Sequence, residues 1–158
     1  MHLLLVEDNP ADVTLVRQAL KLGSISIALS AVHDGTQALA FLRHQAPYAA
    51  AATPDLVLLD LNLPHKNGYD VLAELQQDPA LKCLPVVILT SSDNPQDITQ
   101  CYELGANAYL VKPIGLEPFL GMVQHTVAFW SASKFPTPQT YVPQVGKIER
   151  RSQHNSAG

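Results

Sequence analysis

Short apolar runs alternate along the chain with longer segments whose apolar positions recur every three or four residues. His2–Val6 is the first run and breaks off at two acids, Glu7 and Asp8. A helix is expected next, with Asn9 as N-cap, Pro10 at its first position and Asp12 in its first turn. Val13, Leu15, Val16, Ala19 and Leu20 form its stripe, and Gly23 stops it. A second strand spans about Ile25 to Val32, and a helix runs from Asp34 to about His44 with Ala38, Leu39 and Leu42 on one side. Residues 45–54 read as a loop. Leu56-Val57-Leu58-Leu59, between Asp55 and Asp60, is a continuous apolar run of the kind that a parallel sheet buries on both faces. Asn67-Gly68 marks a turn, a helix follows over about Tyr69–Gln77, and Asp78-Pro79 ends it. Pro85–Leu89 is a fourth strand, Pro95–Leu104 a fourth helix ended by Gly105, Asn107–Val111 a fifth strand, and Leu116–Trp130 a fifth helix.

Five strand–helix units in about 130 residues fit an α/β architecture. The pattern predicts a flavodoxin-like, doubly wound, five-stranded parallel sheet in the order 2-1-3-4-5 with five helices. Residues 1–130 form the domain. Residues 131–158, with Pro136, Pro138 and Pro143 in a polar stretch, read as an extended or disordered tail. On the fifth helix, Leu116, Phe119, Leu120, Val123, Val127 and Trp130 make a core-facing stripe. Met122 and Phe129 fall off that stripe. They suggest self-association through the fourth helix, fifth strand and fifth helix, extended by the tail.

Composition narrows the function classes. No apolar run reaches the ~20 residues that a membrane span needs, and Leu3-Leu4-Leu5-Val6 is too short for a signal peptide. A cytoplasmic location with no membrane contact is expected. Cys83 and Cys101 are too few for a disulfide framework or a zinc site. Residues 1–130 carry six basic against thirteen acidic side chains, and residues 131–158 carry four against one. That acidic body speaks against DNA binding.

In open α/β sheets, ligands bind outside the carboxyl ends of the strands. There the first strand delivers Glu7 and Asp8, the third Asp60, the fourth Thr90 and the fifth Lys112. Taken singly, each has an ordinary structural explanation: a helix-favouring acid, a loop hydroxyl, a solvated lysine. Together they place three carboxylates, a hydroxyl and an ammonium at one edge. Carboxylates so packed repel one another unless a hard cation such as Mg²⁺ (or Mn²⁺) neutralises them. One can then attack a phosphoryl donor, with the metal, the lysine and the hydroxyl holding the charge that develops.

Over residues 1 to about 130 the chain resembles the receiver domains of bacterial response regulators. The matching segments are Val6-Glu7-Asp8-Asn9, Leu58-Leu59-Asp60-Leu61-Asn62-Leu63-Pro64 with Asn67-Gly68, Leu89-Thr90-Ser91, and residues 105–113 ending in Lys112-Pro113. The resemblance implies that Asp60 is the phosphoacceptor, Asp8 a direct metal ligand and Glu7 a ligand through water. It implies a fourth contact to the metal from the backbone carbonyl of Asn62. Thr90 and Lys112 would hold the phosphoryl group, Tyr109 would be the switch aromatic, and Lys112-Pro113 would be a cis peptide. The Asn9-Pro10-Ala11-Asp12 start, the Pro64-His65-Lys66-Asn67-Gly68 loop, and Phe129-Trp130 before a proline-bearing tail resemble, more narrowly, single-domain regulators paired with bacterial phytochromes.

The resemblance implies a phosphorelay protein and not an enzyme beyond its own phosphotransfer and dephosphorylation. A histidine kinase, a histidine phosphotransfer protein or a downstream effector would be its partner. Three rivals fit less well. An aspartate-nucleophile phosphohydrolase needs a second acid two residues after Asp60, where Asn62 stands. A phosphorylation-independent scaffold has no use for the complete acidic and basic set. A flavin carrier needs a Ser/Thr/Gly-rich phosphate cradle, which the first loop lacks.

Overall fold

The computed structural model describes residues 1–135. Its strands are β1 (His2–Val6), β2 (Ala28–Val32), β3 (Leu56–Leu59), β4 (Val86–Thr90) and β5 (Ala108–Val111). They are all parallel and lie in the order β2-β1-β3-β4-β5. The helices are α1 (Pro10–Leu22), α2 (Gly35–Leu42), α3 (Gly68–Gln77), α4 (Pro95–Glu103) and α5 (Leu116–Ala132). The architecture and strand order are those that the hydrophobic pattern predicts. The expected tail lies, from residue 136 onward, outside the described residues.

Four helices start on side-chain caps that satisfy otherwise orphaned backbone N–H groups. Asn9 Oδ1 accepts from Ala11 N at 2.9 Å, Asp34 Oδ1 from Gln37 N at 2.7 Å, and Asn94 Oδ1 from Gln96 N at 2.9 Å. Asn67 and Asp70 form a reciprocal capping box at the start of α3. α5 has no such cap and begins after Gly115, whose φ of 102° suits glycine.

Side chains alternate across the sheet into two cores. Leu4, Val6, Val57, Leu59, Val86 and Ile88 pack with α2, α3 and Cys101 of α4. Leu3, Leu5, Leu56, Leu58, Val87 and Leu89 pack with α1 and α5. The central strands thus have no wet face, which is why they read as unbroken apolar runs. The register sets Val6 level with Leu59, and Thr90 level with Val111. Backbone bonds carry each ladder one residue further: Asp60 N donates to the Val6 carbonyl at 3.0 Å, and Lys112 N to the Thr90 carbonyl at 2.7 Å. Glu7, Asp60, Thr90 and Lys112 consequently emerge at one edge.

Two expectations about α5 are corrected. Leu116 is 48% exposed, because the first turn of α5 follows exposed Val111 and Ile114 beyond the edge of the core. Met122 packs against the second core, since α5 lies on α1 as well as on the sheet and so buries a wider stripe. Phe129 is exposed, as expected. A third correction concerns Lys112–Pro113. Among the described residues the cis peptide bond lies at Ala46–Pro47 instead. Trans is the preferred X–Pro isomer by about 0.5–1 kcal/mol, and the chain makes its bend after β5 at Gly115.

Gly68 joins the fold to the site. Its N–H donates to the Leu61 carbonyl at 3.0 Å, and a Cβ there would meet the Asp60 carbonyl oxygen at 2.5 Å and Leu61 Cα at 2.8 Å. Backbone on both sides leaves nothing flexible to yield. Gly121, inside α5, has nothing within 4 Å of its would-be Cβ. Gly68→Ala is therefore expected to cost about 1–3 kcal/mol of stability, while Gly121→Ala gains about 0.5–1 kcal/mol from helix propensity. Urea unfolding of the two variants measures this; equal effects would contradict the packing described.

Candidate functional site

The site is built from strand ends. Glu7 follows β1 and is 2% exposed, Asp60 follows β3 and is 6% exposed, and Thr90 ends β4 fully buried. Lys112 reaches them from β5. Its Nζ donates to Glu7 Oε2 at 2.7 Å, Asp12 Oδ2 at 2.8 Å and Asp60 Oδ2 at 3.1 Å. All three ammonium hydrogens are thereby engaged. Glu7, Asp8 and Asp60 each offer a carboxylate oxygen within 4.8 Å of the others, with Asp8 on the exposed side. Asp60 Oδ1 also accepts from Asn62 N at 3.3 Å, which holds the Asn62 main chain beside the carboxylate. Thr90 Oγ1 accepts from Ser92 N at 3.4 Å. The half-buried Tyr109 stands further out, its hydroxyl donating to the Ser92 carbonyl at 2.8 Å.

One ammonium faces three carboxylates, and the imbalance appears in the acid–base behaviour. Burial pushes the Glu7 carboxyl up to about 7, against the lowering effect of its bond to Lys112, and the Asp60 charge adds to the rise. For Lys112, burial works against the charge but is outweighed by hydrogen bonds to Asp12 and Glu7 and the charge of Asp60, so its pKa rises. The ammonium stays charged, and Glu7 takes up a proton more readily than an ordinary carboxyl does.

Four strand ends that converge acids, a hydroxyl and a lysine on one edge are the observation to set beside known proteins. The family model of the response regulator receiver domain matches residues 3–124. The chain belongs to that family. Response regulator Rcp1 of Synechocystis sp. is 48% identical over 128 residues, which is 81% of this receiver chain and 87% of that protein. Two crystal structures are similar over 86% of this receiver chain. One is the phosphorylated cyanobacterial phytochrome response regulator RcpA, with a TM-score of 0.82, 42% identity and 98% of that chain covered. The other is the Mn²⁺-bound form of Rcp1, with a TM-score of 0.81, 45% identity and 99% covered.

The receiver's donor set fits a hard divalent cation. It consists of oxygens, carries more negative charge than Lys112 balances, and opens to solvent on the Asp8 side. Glu7, Asp8, Asp60, Thr90 and Lys112 are brought together as the strand-end argument expects. Asp12 joins them unexpectedly: the sequence places it in the first turn of α1, where an acid has a sufficient reason to be in the helix dipole. The available signal was spacing. A residue four positions after Asp8, one turn into a helix that begins at the site, can lean back over the strand ends.

Glu7's value of about 7 lies above its ordinary 4.5, so the native state holds this proton more tightly than the unfolded chain. That contribution is full below the unfolded value and lost as pH rises through the folded one. The metal-free protein should therefore show a urea midpoint that falls as pH rises from about 5 to 8, with a flatter profile for Glu7→Gln or in Mg²⁺. Identical slopes in wild type and Glu7→Gln would contradict the assignment.

Proposed function

We propose that this receiver takes a phosphoryl group from a histidine kinase onto Asp60 and passes the event on through protein contacts. The observation that carries the reading is Lys112 Nζ bridging Glu7 and Asp60 beside the Glu7–Asp8–Asp60 carboxylate cluster. An Asp60 oxygen attacks phosphorus, an O–P bond forms, and the P–N bond to the kinase histidine breaks with the electron pair leaving on nitrogen. Lys112 moves from carboxylate to phosphoryl oxygen, and the Thr90 hydroxyl, weakly engaged by Ser92 N, turns to donate to another. Asp8 directly, Glu7 through water and the Asn62 carbonyl would hold Mg²⁺ or Mn²⁺ with Asp60. The cation, when bound, neutralises the carboxylates and the incoming phosphoryl charge.

Tyr109 is the aromatic whose position follows Thr90. Its bond to the Ser92 carbonyl supports that role. Residues 1–130 are the signalling domain, with residues 131–158 as an appended segment. The chain has no enzymatic role beyond its own phosphotransfer and dephosphorylation. Among the described residues no helix is long and apolar enough to cross a membrane, which supports action in the cytoplasm. The likeness to Rcp1 and RcpA supports a phytochrome-type kinase as donor. A histidine phosphotransfer protein or a downstream effector then reads the phosphorylated form. Val111, Ile114 and Leu116, which are 39%, 99% and 48% exposed, support pairing of two copies through α4, β5 and α5.

A kinase, radiolabelled ATP and Mg²⁺ should label the wild type and leave Asp60→Asn unlabelled; label on the variant would overturn the assignment. Sedimentation of the same samples reads the pairing, and a monomer in every sample would exclude it.

A further inference from the structure

Ser92 sits at the centre of a hydrogen-bond bridge that the phosphoryl chemistry does not use. Its hydroxyl donates to Asp97 Oδ2 at 2.5 Å, and the other oxygen of that carboxylate accepts from the Tyr69 hydroxyl at 2.5 Å. Ser92 Oγ also accepts from Asn94 N at 3.3 Å. The Ser92 carbonyl receives the Tyr109 hydroxyl, and its N–H reaches Thr90 Oγ1. Asp97 lies in the first turn of α4, where the helix dipole favours a carboxylate. Tyr69 follows Gly68, the residue pressed against the Asp60 backbone. The bridge thus runs from the Asp60 loop, through α3 and α4, to the loop after Thr90.

We propose that Tyr69 and Asp97 are positioning residues: together they hold the Ser92 loop in the conformation that receives Tyr109, and so set how readily the site accepts a phosphoryl group. Neither residue touches the carboxylate cluster. Their effect passes through Ser92, whose amide and carbonyl face the two groups expected to move. Without the Tyr69 hydroxyl, Asp97 keeps only the Ser92 bond, α4 loses this hydrogen bond to α3, and the acceptor for Tyr109 is held less firmly. The acid–base behaviour agrees. Bonds from Ser92 and Tyr69 lower the Asp97 pKa, and burial followed by the bond to Asp97 raises that of Tyr69.

The inference rests on Asp60 as the phosphoacceptor, and the test separates the two. The probe is Mg²⁺ with beryllofluoride, titrated into wild type, Tyr69→Phe, Asp97→Ala, the double variant and Tyr48→Phe, a control on the Phe41 side of the core. Losing one hydrogen bond of ordinary strength corresponds to about a three- to tenfold weaker response to the mimic. Tyr69→Phe should show that loss while its affinity for Mg²⁺ alone stays unchanged, because the clamp does not touch Glu7, Asp8 or Asp60. General destabilisation would weaken both. The double variant should be no weaker than Asp97→Ala, since both substitutions break one bridge, and the fluorine signal of labelled Tyr109 should move in Tyr69→Phe before any mimic is added. Wild-type mimic affinity and an unmoved Tyr109 signal in Tyr69→Phe would overturn the inference. Failure of the wild type to bind the mimic would instead overturn the reading of Asp60.

Discussion

The Lys112 ammonium is the contact on which the rest of the site depends. Glu7 and Asp60 are almost fully buried carboxylates, and ions are taken out of water at a cost of several kcal/mol each unless paired. Among the described side chains Lys112 is the cation that meets both of them and Asp12 as well. The parallel sheet makes that meeting possible, because strands adjacent in space but far apart in sequence all end at one edge. Lys112 lies 105 residues from Glu7 and 52 from Asp60.

The arrangement explains how a stable fold holds a site waiting for charge. Four acids, Glu7, Asp8, Asp12 and Asp60, with one base can be relieved by a proton on Glu7, by a divalent cation, or by both. On the proposed function, a phosphoryl group on Asp60 would bring roughly two further negative charges and strong acceptor oxygens, and Lys112 and a divalent cation would divide the anionic oxygens anew. Thr90 and Tyr109 are joined through Ser92, and the exposed Val111, Ile114 and Leu116 flank Lys112 in the chain while its own side chain turns into the site. The path from chemistry to surface is short.

Much of this was legible in the sequence. Unbroken apolar runs with acids behind them marked β1 and β3, and Asn9 and Asp34 start α1 and α2 where their capping chemistry predicts. The strand-end rule then assembled Glu7, Asp8, Asp60, Thr90 and Lys112 without any contact being known. What stayed hidden depends on side chains crossing between elements. Asp12 had a complete local explanation as a helix-start acid, so its spacing from Asp8 was the one hint of a bond to Lys112, 100 residues away. Leu116 fitted the helical period but lies beyond the core, and Met122 is half-buried by a face widened by α1. Tyr69, Ser92 and Asp97 carry no motif, since their bridge exists only once α3 and α4 stand side by side.

Lys112 and a divalent cation compete to neutralise Glu7 and Asp60, and the most direct measurement of this is calorimetric titration of Mg²⁺ or Mn²⁺ into wild type and Lys112→Met. A unit charge about 4 Å away is worth on the order of a few kcal/mol near a protein surface. Removing the ammonium should therefore tighten metal binding by about tenfold or more. Unchanged or weaker metal binding in Lys112→Met would contradict the account.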